Sequence, residues 1–259
     1  MAYDGSIWEG VYRSFSEVPA VGQGFDGEMW ISKSIKKIEA VLEEVEENAL
    51  LPPASNYREC LLPLLAALVY NENGAVRILD FGGGIGFAYY QTICGLKRTE
   101  GVEYHIIEQE SVCKAGRKFF GTTNSNPYFF NELPKTAGMY DIIHLGSAIH
   151  YVGEWKQLLS RLCALSRKYL LLVDVPAGNI PTFATAQHYY GSKIPAWFFN
   201  IEEILHAVRS FGYELIFKPV HQPAILGAEQ KLPMQNFEEK YRLKRTCNLL
   251  FKMLSNSND

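Results

Sequence analysis

Val76-Arg77-Ile78-Leu79-Asp80-Phe81-Gly82-Gly83-Gly84-Ile85-Gly86 is the stretch on which the reading of this chain turns. An apolar run, a carboxylate and then clustered glycines read as a buried strand passing through a tight bend into a helix, the entry of an α/β nucleotide-type site. Glycine is needed there because a ligand must approach bare backbone, which a Cβ would block. Tyr89, Tyr90, Ile93 and Leu96 follow at helical spacing, so a helix is expected from about Gly86. Spacing separates the cofactor classes that use such a bend. A dinucleotide site wants G-x-G-x-x-G/A, its last residue small so that helix and strand pack closely. Counted from Gly82, that position is Phe87, which is large. The pattern present is D-x-G-x-G-x-G, formed by Asp80, Gly82, Gly84 and Gly86.

A second acid supports a nucleoside ligand. Glu103-Tyr104-His105-Ile106-Ile107 reads as the next strand and Glu108 stands at its end. A carboxylate there can accept both hydroxyls of a ribose, a charge-assisted bidentate contact. The other reading of Glu108 is a solvated strand end. The D-x-G-x-G-x-G pattern resembles motif I of the class I S-adenosylmethionine-dependent methyltransferases, and every position of it is matched. The resemblance implies S-adenosylmethionine as cofactor. It implies a site of Asp80, Phe81, Gly82, Gly83, Gly84 and Gly86 at the methionine end and Glu108 with Gln109 at the ribose. Asn131 and Glu132, beside Leu133, would lie near the adenine after the third strand, and Gly146 with Ser147 would follow the fourth.

Strands alternate with helices on both sides of this stretch. Tyr128-Phe129-Phe130, Asp141 to Leu145, Tyr169 to Val173, Tyr213 to Lys218 and Arg245 to Lys252 complete a set of seven. Ser111 is placed to cap a helix running to Phe120, Gly153 to Lys168 carries a helical stripe, and Ile201 to Phe211 is another helix. The fold class is therefore α/β, a Rossmann-like methyltransferase fold. Its seven-stranded, mostly parallel sheet has helices on both faces. Residues 1–73 are expected to form an N-terminal helical extension, either a lid on the site or a layer on the sheet. Within it, Glu28 to Glu47 shows helical spacing, Pro52-Pro53 ends that helix, and Ser55-Asn56 can cap a second one to about Tyr70. Residues 74–259 would form the cofactor-binding domain. Within it, Val175 to Asn200, interrupted by Pro176, Pro181 and Pro195, reads as a long irregular insert on the substrate side.

Composition narrows the class. The chain has 259 residues, 47% hydrophobic, with 25 basic and 28 acidic side chains, which is enough for a sizeable core and carries no basic surplus for nucleic acid. Lys240, Arg242, Lys244 and Arg245 read as a solvated rim. Five scattered cysteines without a C-x-x-C pair fit reduced thiols and a cytoplasmic protein. The first residues lack the features of a signal peptide, and the longest apolar run is too short to span a bilayer. The oligomeric state is left open.

Three segments resemble a narrower group, the bacterial methyltransferases associated with cell-surface polysaccharide biosynthesis. They are Trp8-Glu9-Gly10-Val11-Tyr12, the bend with Tyr89-Tyr90-Gln91, and Gln187 through Pro195-Ala196-Trp197-Phe198-Phe199. The resemblance implies an O-methyltransferase acting on a small saccharide or its phosphorylated precursor. The alternative is a catalytically silent methyltransferase-like binding subunit. One departure is Asp174-Val175-Pro176, where an Arg is expected beside the Asp.

Absences limit the acceptor. No D/N/S-P-P-aromatic motif of nucleobase methylases follows the fourth strand, and no Asp-Asn pair of magnesium-dependent enzymes follows the fifth. The six histidines show no zinc spacing, so no metal is expected. A sugar hydroxyl needs a general base. His150 after the fourth strand is one candidate, and packing on Tyr151 is the equal alternative reading. His188 in the insert is the rival, Asp174 is a possible orienting acid, and His144 reads as core. Tyr151, Gln187, Tyr189, Tyr190 and Trp197 suit a sugar-stacking wall, and core packing explains them about as well.

Overall fold

The computed structural model describes residues 6–48, 60–96, 100–121, 127–189, 191–222 and 231–254. In chain order the elements are β1 (Trp8–Tyr12), α1 (Glu28–Asn48), α2 (Leu61–Asn73), β2 (Val76–Phe81), α3 (Phe87–Leu96), β3 (Val102–Ile107), α4 (Glu110–Phe120) and β4 (Tyr128–Phe130). They continue with β5 (Tyr140–Gly146), α5 (Trp155–Leu165), β6 (Ser166–Val175), β7 (Ala177–Gly178), β8 (Phe183–Tyr189), β9 (Ser192–Asn200), α6 (Ile201–Ser210), β10 (Tyr213–Phe217) and β11 (Cys247–Met253).

Seven strands form one sheet in the order β10-β11-β6-β5-β2-β3-β4. The five from β6 to β4 run parallel, and β11 is antiparallel to both of its neighbours. This is the Rossmann-like methyltransferase fold. Successive side chains on a strand point to opposite faces, and both faces of the central strands are apolar. Ile78 packs with Leu62, Leu65 and Val69 of α2 and Tyr89 of α3. Its neighbour Leu79 packs on the other face with Leu158 and Leu162 of α5 and Ile204 and Val208 of α6. Helices therefore cover both sides, and the strands' carboxyl ends gather at one edge, where α/β sheets bind ligands. Gly74 stops α2 in the left-handed conformation (φ 70°) and returns its N–H to Tyr70 O at 2.8 Å.

Three expectations need correction. Val175 to Asn200 is not irregular. After the last residue of β6 it contains β7, β8 and β9, which join β1 in a second sheet of order β1-β8-β9-β7. Trp8 pairs with Gln187 across the β1–β8 ladder, so the chain start is a strand rather than part of a helical extension. Helix α2 forms a layer on the sheet, one of the two readings the sequence offered, since it buries Leu62, Leu65, Ala66 and Val69 in the same cluster as β2. Ser111 does not cap α4. Gln109 occupies that position, and the Ser111 hydroxyl donates instead to Asp26. Pro52-Pro53 and Ser55-Asn56 lie outside the described residues.

The second sheet has its own apolar layer. Phe183 stacks on Phe198 with centroids 5.2 Å apart, Trp8 meets Phe198 edge-on at 5.0 Å, and Met234 and Phe237 close the cluster. Helix α1 belongs to neither sheet. Its Ile38 packs against Ile85 of the bend and Val112 of α4, so the helix lies over the glycine turn. Ile38→Ala removes a fully buried side chain and is expected to cost about 2–5 kcal/mol. Urea denaturation read by circular dichroism measures this, and an unchanged midpoint would mean that α1 is not packed there.

Candidate functional site

Strand β2 delivers Asp80 to the carboxyl edge of the sheet, where it is fully buried. Its carboxylate accepts a hydrogen bond from Tyr104 Oη of β3 at 2.8 Å and one from His144 Nδ1 of β5 at 2.7 Å. Because a carboxylate only accepts, His144 must carry its proton on Nδ1. The chain then turns through Gly82 (φ 71°), Gly84 (φ 59°) and Gly86 (φ 97°), a conformation that side chains with a Cβ rarely adopt. The protein's own packing demands most of these glycines. A Cβ on Gly82 would lie 2.7 Å from Ala148 Cβ, on Gly83 2.4 Å from Asp80 Oδ2, and on Gly86 2.9 Å from the Phe120 ring. Only at Gly84 is there partial room, with the Trp30 ring of α1 at 3.3 Å.

Glu108 stands at the end of β3 as expected, and it also braces the bend. Its Oε1 accepts from Gly84 N at 3.1 Å and its Oε2 from Gln109 N at 3.0 Å. Burial pushes its carboxyl above the ordinary range, the two N–H donors oppose this, and the charges of Asp80 and Asp26 add to the rise. The Gln109 amide nitrogen reaches Asp26 Oδ1 at 2.7 Å, so the segment ahead of α1 is tied to the start of α4. Phe81, Asn131, Glu132 and Leu133 line one groove together with Ile107.

A cavity of ≈ 270 Å³ lies on the other side of the bend. Its walls are Asp80, Gly82, Gly83, His144, Gly146, Ser147 and Asp174, closed by Lys37 of α1, Gln91 of α3 and His221. Ser147 (φ 51°) and Asp174 (φ 56°) are the non-glycine residues at positive φ among the described ones, and they touch. Ser147 Oγ donates to Asp174 Oδ2 at 2.6 Å and Thr246 Oγ1 donates to Asp174 Oδ1 at 2.5 Å. Such backbone strain persists only where the surroundings hold it, and it concentrates at functional sites.

The remaining expected residues divide into two groups. His150 and Tyr151 lie in a short 3-10 turn after β5, their rings 4.1 Å apart. His150 Nδ1 is buried and finds no hydrogen-bond partner among the described residues. Burial pulls its imidazole down to about 4, against the opposing pull of the Asp174 charge. Tyr151 Oη donates to Gln187 Oε1 at 2.6 Å, and burial, then Asp174 and Tyr189, raises its pKa. Phe25 packs on Tyr151 at 4.7 Å and Tyr189 at 5.9 Å, and meets Trp30 at 5.6 Å, so an aromatic wall joins the start of the chain to β8. His188 and Trp197 are engaged elsewhere. His188 Nε2 contacts Glu9 Oε2 at 2.6 Å across the second sheet, and Trp197 Nε1 donates to Gly153 O at 3.3 Å. Tyr190 lies outside the described residues. Lys37, Trp30, Asn248 and His221 belong to no motif in the sequence, and only the packing of α1 and the pairing of β10 with β11 bring them to the bend, whereas Gln91 follows the bend directly on α3.

A family model described as a methyltransferase domain matches residues 40–217. The chain belongs to the methyltransferase domain family. It is an S-adenosylmethionine-dependent methyltransferase. Among solved structures, magnesium protoporphyrin IX methyltransferase from Synechocystis PCC 6803 with bound cofactor is similar in fold, with TM-score 0.51 and 14% identity over 89% of this chain and 93% of that one. A candidate S-adenosylmethionine dependent methyltransferase from Listeria monocytogenes gives TM-score 0.50 and 14% identity, covering 76% of this chain and 100% of that one. Among curated proteins, no sequence matches this chain. The residues present suit the cofactor. Lys37 and Asp80 would complement an amino-acid zwitterion beside the bend, and Glu108 would offer a carboxylate to the ribose.

The depressed His150 pKa has a consequence for stability. Between about 4 and the ordinary 6.5, an unfolded chain binds a proton that the folded one refuses. Stability is therefore complete above 6.5 and falls as the pH drops towards 4, by up to roughly 3 kcal/mol from this one group. Replacing His150 with Asn should flatten that part of the profile. Urea titrations at pH 7 and pH 4.5 with the same loss in both proteins would contradict it.

Proposed function

We propose that this methyltransferase transfers its methyl group to an oxygen of a small saccharide, or of the phosphorylated precursor of one, used in a bacterial surface polysaccharide. The single observation behind the reading is the composition of the space at the bend. A small, polar cavity is lined by Ser147, Asp174 and His221, and the Asp174 charge acts on Tyr151, which forms an aromatic wall with Phe25 and Tyr189. Sugars offer hydroxyls to such polar groups and flat C–H faces to such rings. Gln187 and Tyr151 support each other within the wall, and Trp197 sits behind it against Phe15 at 5.6 Å. A cytoplasmic location fits five free thiols and an acceptor that is modified before export. Among the described residues no helix is long and apolar enough to cross a membrane.

When bound, the cofactor supplies an electrophilic methyl on sulfur. The chain's own work is to hold that end against the bend and to bring an acceptor oxygen into line, which is where most of the rate comes from. Asp80, Gly82, Gly83, Gly84 and Gly86 shape the amino-acid end, with Gly146 and Ser147 alongside. Glu108 and Gln109 would take the ribose, and Phe81, Asn131 and Glu132 the adenine. Within residues 1–73, α1 and Trp30 would act as cover above the site, and β7–β9 as the acceptor-side wall of the domain over 74–259. Asp174 orients the acceptor side, and His150, neutral at working pH, lies beneath it.

The direct test is tritium transfer from labelled S-adenosylmethionine to a panel of sugar phosphates and nucleotide sugars. Label appearing in a sugar product supports the reading. Transfer only to carboxylates or amines, or none to the panel, would remove it. Glu108→Ala should weaken cofactor affinity by about 10- to 100-fold, because a charged hydrogen-bond acceptor is lost. Gly84→Val should weaken it further by filling the space beneath Trp30. Calorimetry with S-adenosylhomocysteine reads both, and unchanged affinities would mean that the cofactor is held elsewhere.

A further inference from the structure

Six histidines could take a proton from an acceptor hydroxyl, and five are disposed for other work. His105 is held between Glu103 Oε1 at 2.9 Å and Tyr140 Oη at 2.7 Å, on the sheet face. His144 gives its Nδ1 proton to Asp80, and its Nε2 is buried. His150 is enclosed, His188 is bound to Glu9, and His206 lies on the outer face of α6. The sixth, His221, lines the cavity at the bend opposite Ser147 and Asp174.

Its tautomer can be derived. Asn248 Oδ1 accepts the backbone N–H of Asp174 at 2.9 Å. A backbone nitrogen can only donate, so this atom is the amide oxygen. The same oxygen lies 3.0 Å from His221 Nδ1, which must then carry the proton. Nε2 of the neutral ring is therefore bare. It lies 3.8 Å from Asp174 Oδ1, too far for a hydrogen bond but near enough for a carboxylate to stabilise an imidazolium. That carboxylate is held in place by the hydroxyls of Ser147 and Thr246, which donate to its two oxygens. The His221 backbone is fixed too, its N–H bonded to Thr246 O at 3.0 Å.

We propose that His221 is the general base of the transfer, with Asn248 setting its tautomer and Asp174 stabilising its protonated form. This rests on the reading of the acceptor as a hydroxyl. The acceptor oxygen gives an electron pair to the methyl carbon, the carbon–sulfur pair leaves with sulfur, and the hydroxyl proton passes to Nε2 and later to water. Asn248 and Asp174 act through the imidazole and are positioning residues.

The test uses the full chain with ring-¹⁵N histidine, His221 being assigned by the signal lost in His221→Gln. Above its titration, His221 should display a protonated Nδ1 and an unprotonated Nε2. The opposite tautomer, or an even mixture, overturns the proposal. The charged groups that share the cavity with the ring are Asp174 on β6, Asp80 on β2 and Lys37 on α1, with Ser147 and Thr246 on the Asp174 carboxylate and Asn248 on the ring. Asp174→Asn should lower kcat without changing the His221 tautomer, and a wild-type kcat contradicts the role given to Asp174. In the tritium assay, His221→Gln should reduce kcat by about 10²- to 10⁴-fold while calorimetric affinity for S-adenosylhomocysteine stays within about twofold. A turnover within about threefold of wild type overturns the assignment. If the wild type labels nothing in the sugar panel, the saccharide reading fails, and the tautomer still decides for or against His221.

Discussion

A carboxylate sealed from water beneath the glycine bend is the constraint on which the rest of the site depends. Asp80 is fully buried, and its charge is tolerable only because Tyr104 and His144 donate to it from the strands on either side. Removing one partner of such a group typically costs about 3–5 kcal/mol, because a bare charge is left behind. Asp80, Tyr104 and His144 belong to three adjacent strands, so the same hydrogen bonds fix the relative height of the strand ends. They also dictate the bend above. Gly83 passes so close to Asp80 Oδ2 that no Cβ fits, and Gly82 is pressed on Ala148 in the same way. The open main chain offered to a ligand is thus a by-product of packing around a buried charge.

Around that fixed floor the chain builds two walls of different chemistry. On the acceptor side, the strained pair Ser147 and Asp174 brings hydroxyl, carboxylate, amide and imidazole into one polar cluster with Thr246, Asn248 and His221. Beside it, Phe25, Trp30, Tyr151 and Tyr189 form an apolar cover drawn from the beginning of the chain, the loop after β5 and the second sheet. Asp26 ties that cover to the start of α4 through Ser111. The second sheet is what lets an N-terminal strand reach the acceptor side at all, since β1 pairs with β8 about 180 residues later.

Much of the cofactor half was legible because it is local. A strand, an acid, a glycine bend and a helix follow one another within a few turns of chain, and Glu108 closes the next unit. The acceptor half was not, because its contacts are long-range. Val175 to Asn200 looked irregular for two reasons. Small alanines at positions 184 and 186 blur the period of two, and Pro195 argues against a strand. Yet β7 meets β9 only at Phe199 and Asn200, which leaves Pro195 with no β7 partner for its missing donor. His221 follows β10 with no neighbouring motif, and only the antiparallel β11 carries Asn248 and Thr246 to it. His150 was chosen from sequence for its loop, but burial, which sequence does not display, encloses it.

The most direct measurement is a crystal structure of the chain with S-adenosylhomocysteine. The account predicts the ribose hydroxyls on the Glu108 carboxylate, the amino-acid end against Gly82 and Gly83 beside Lys37, and the sulfur turned towards Ser147 and His221. A bound nucleoside away from Gly84, with Trp30 still resting on an unchanged bend, would contradict it.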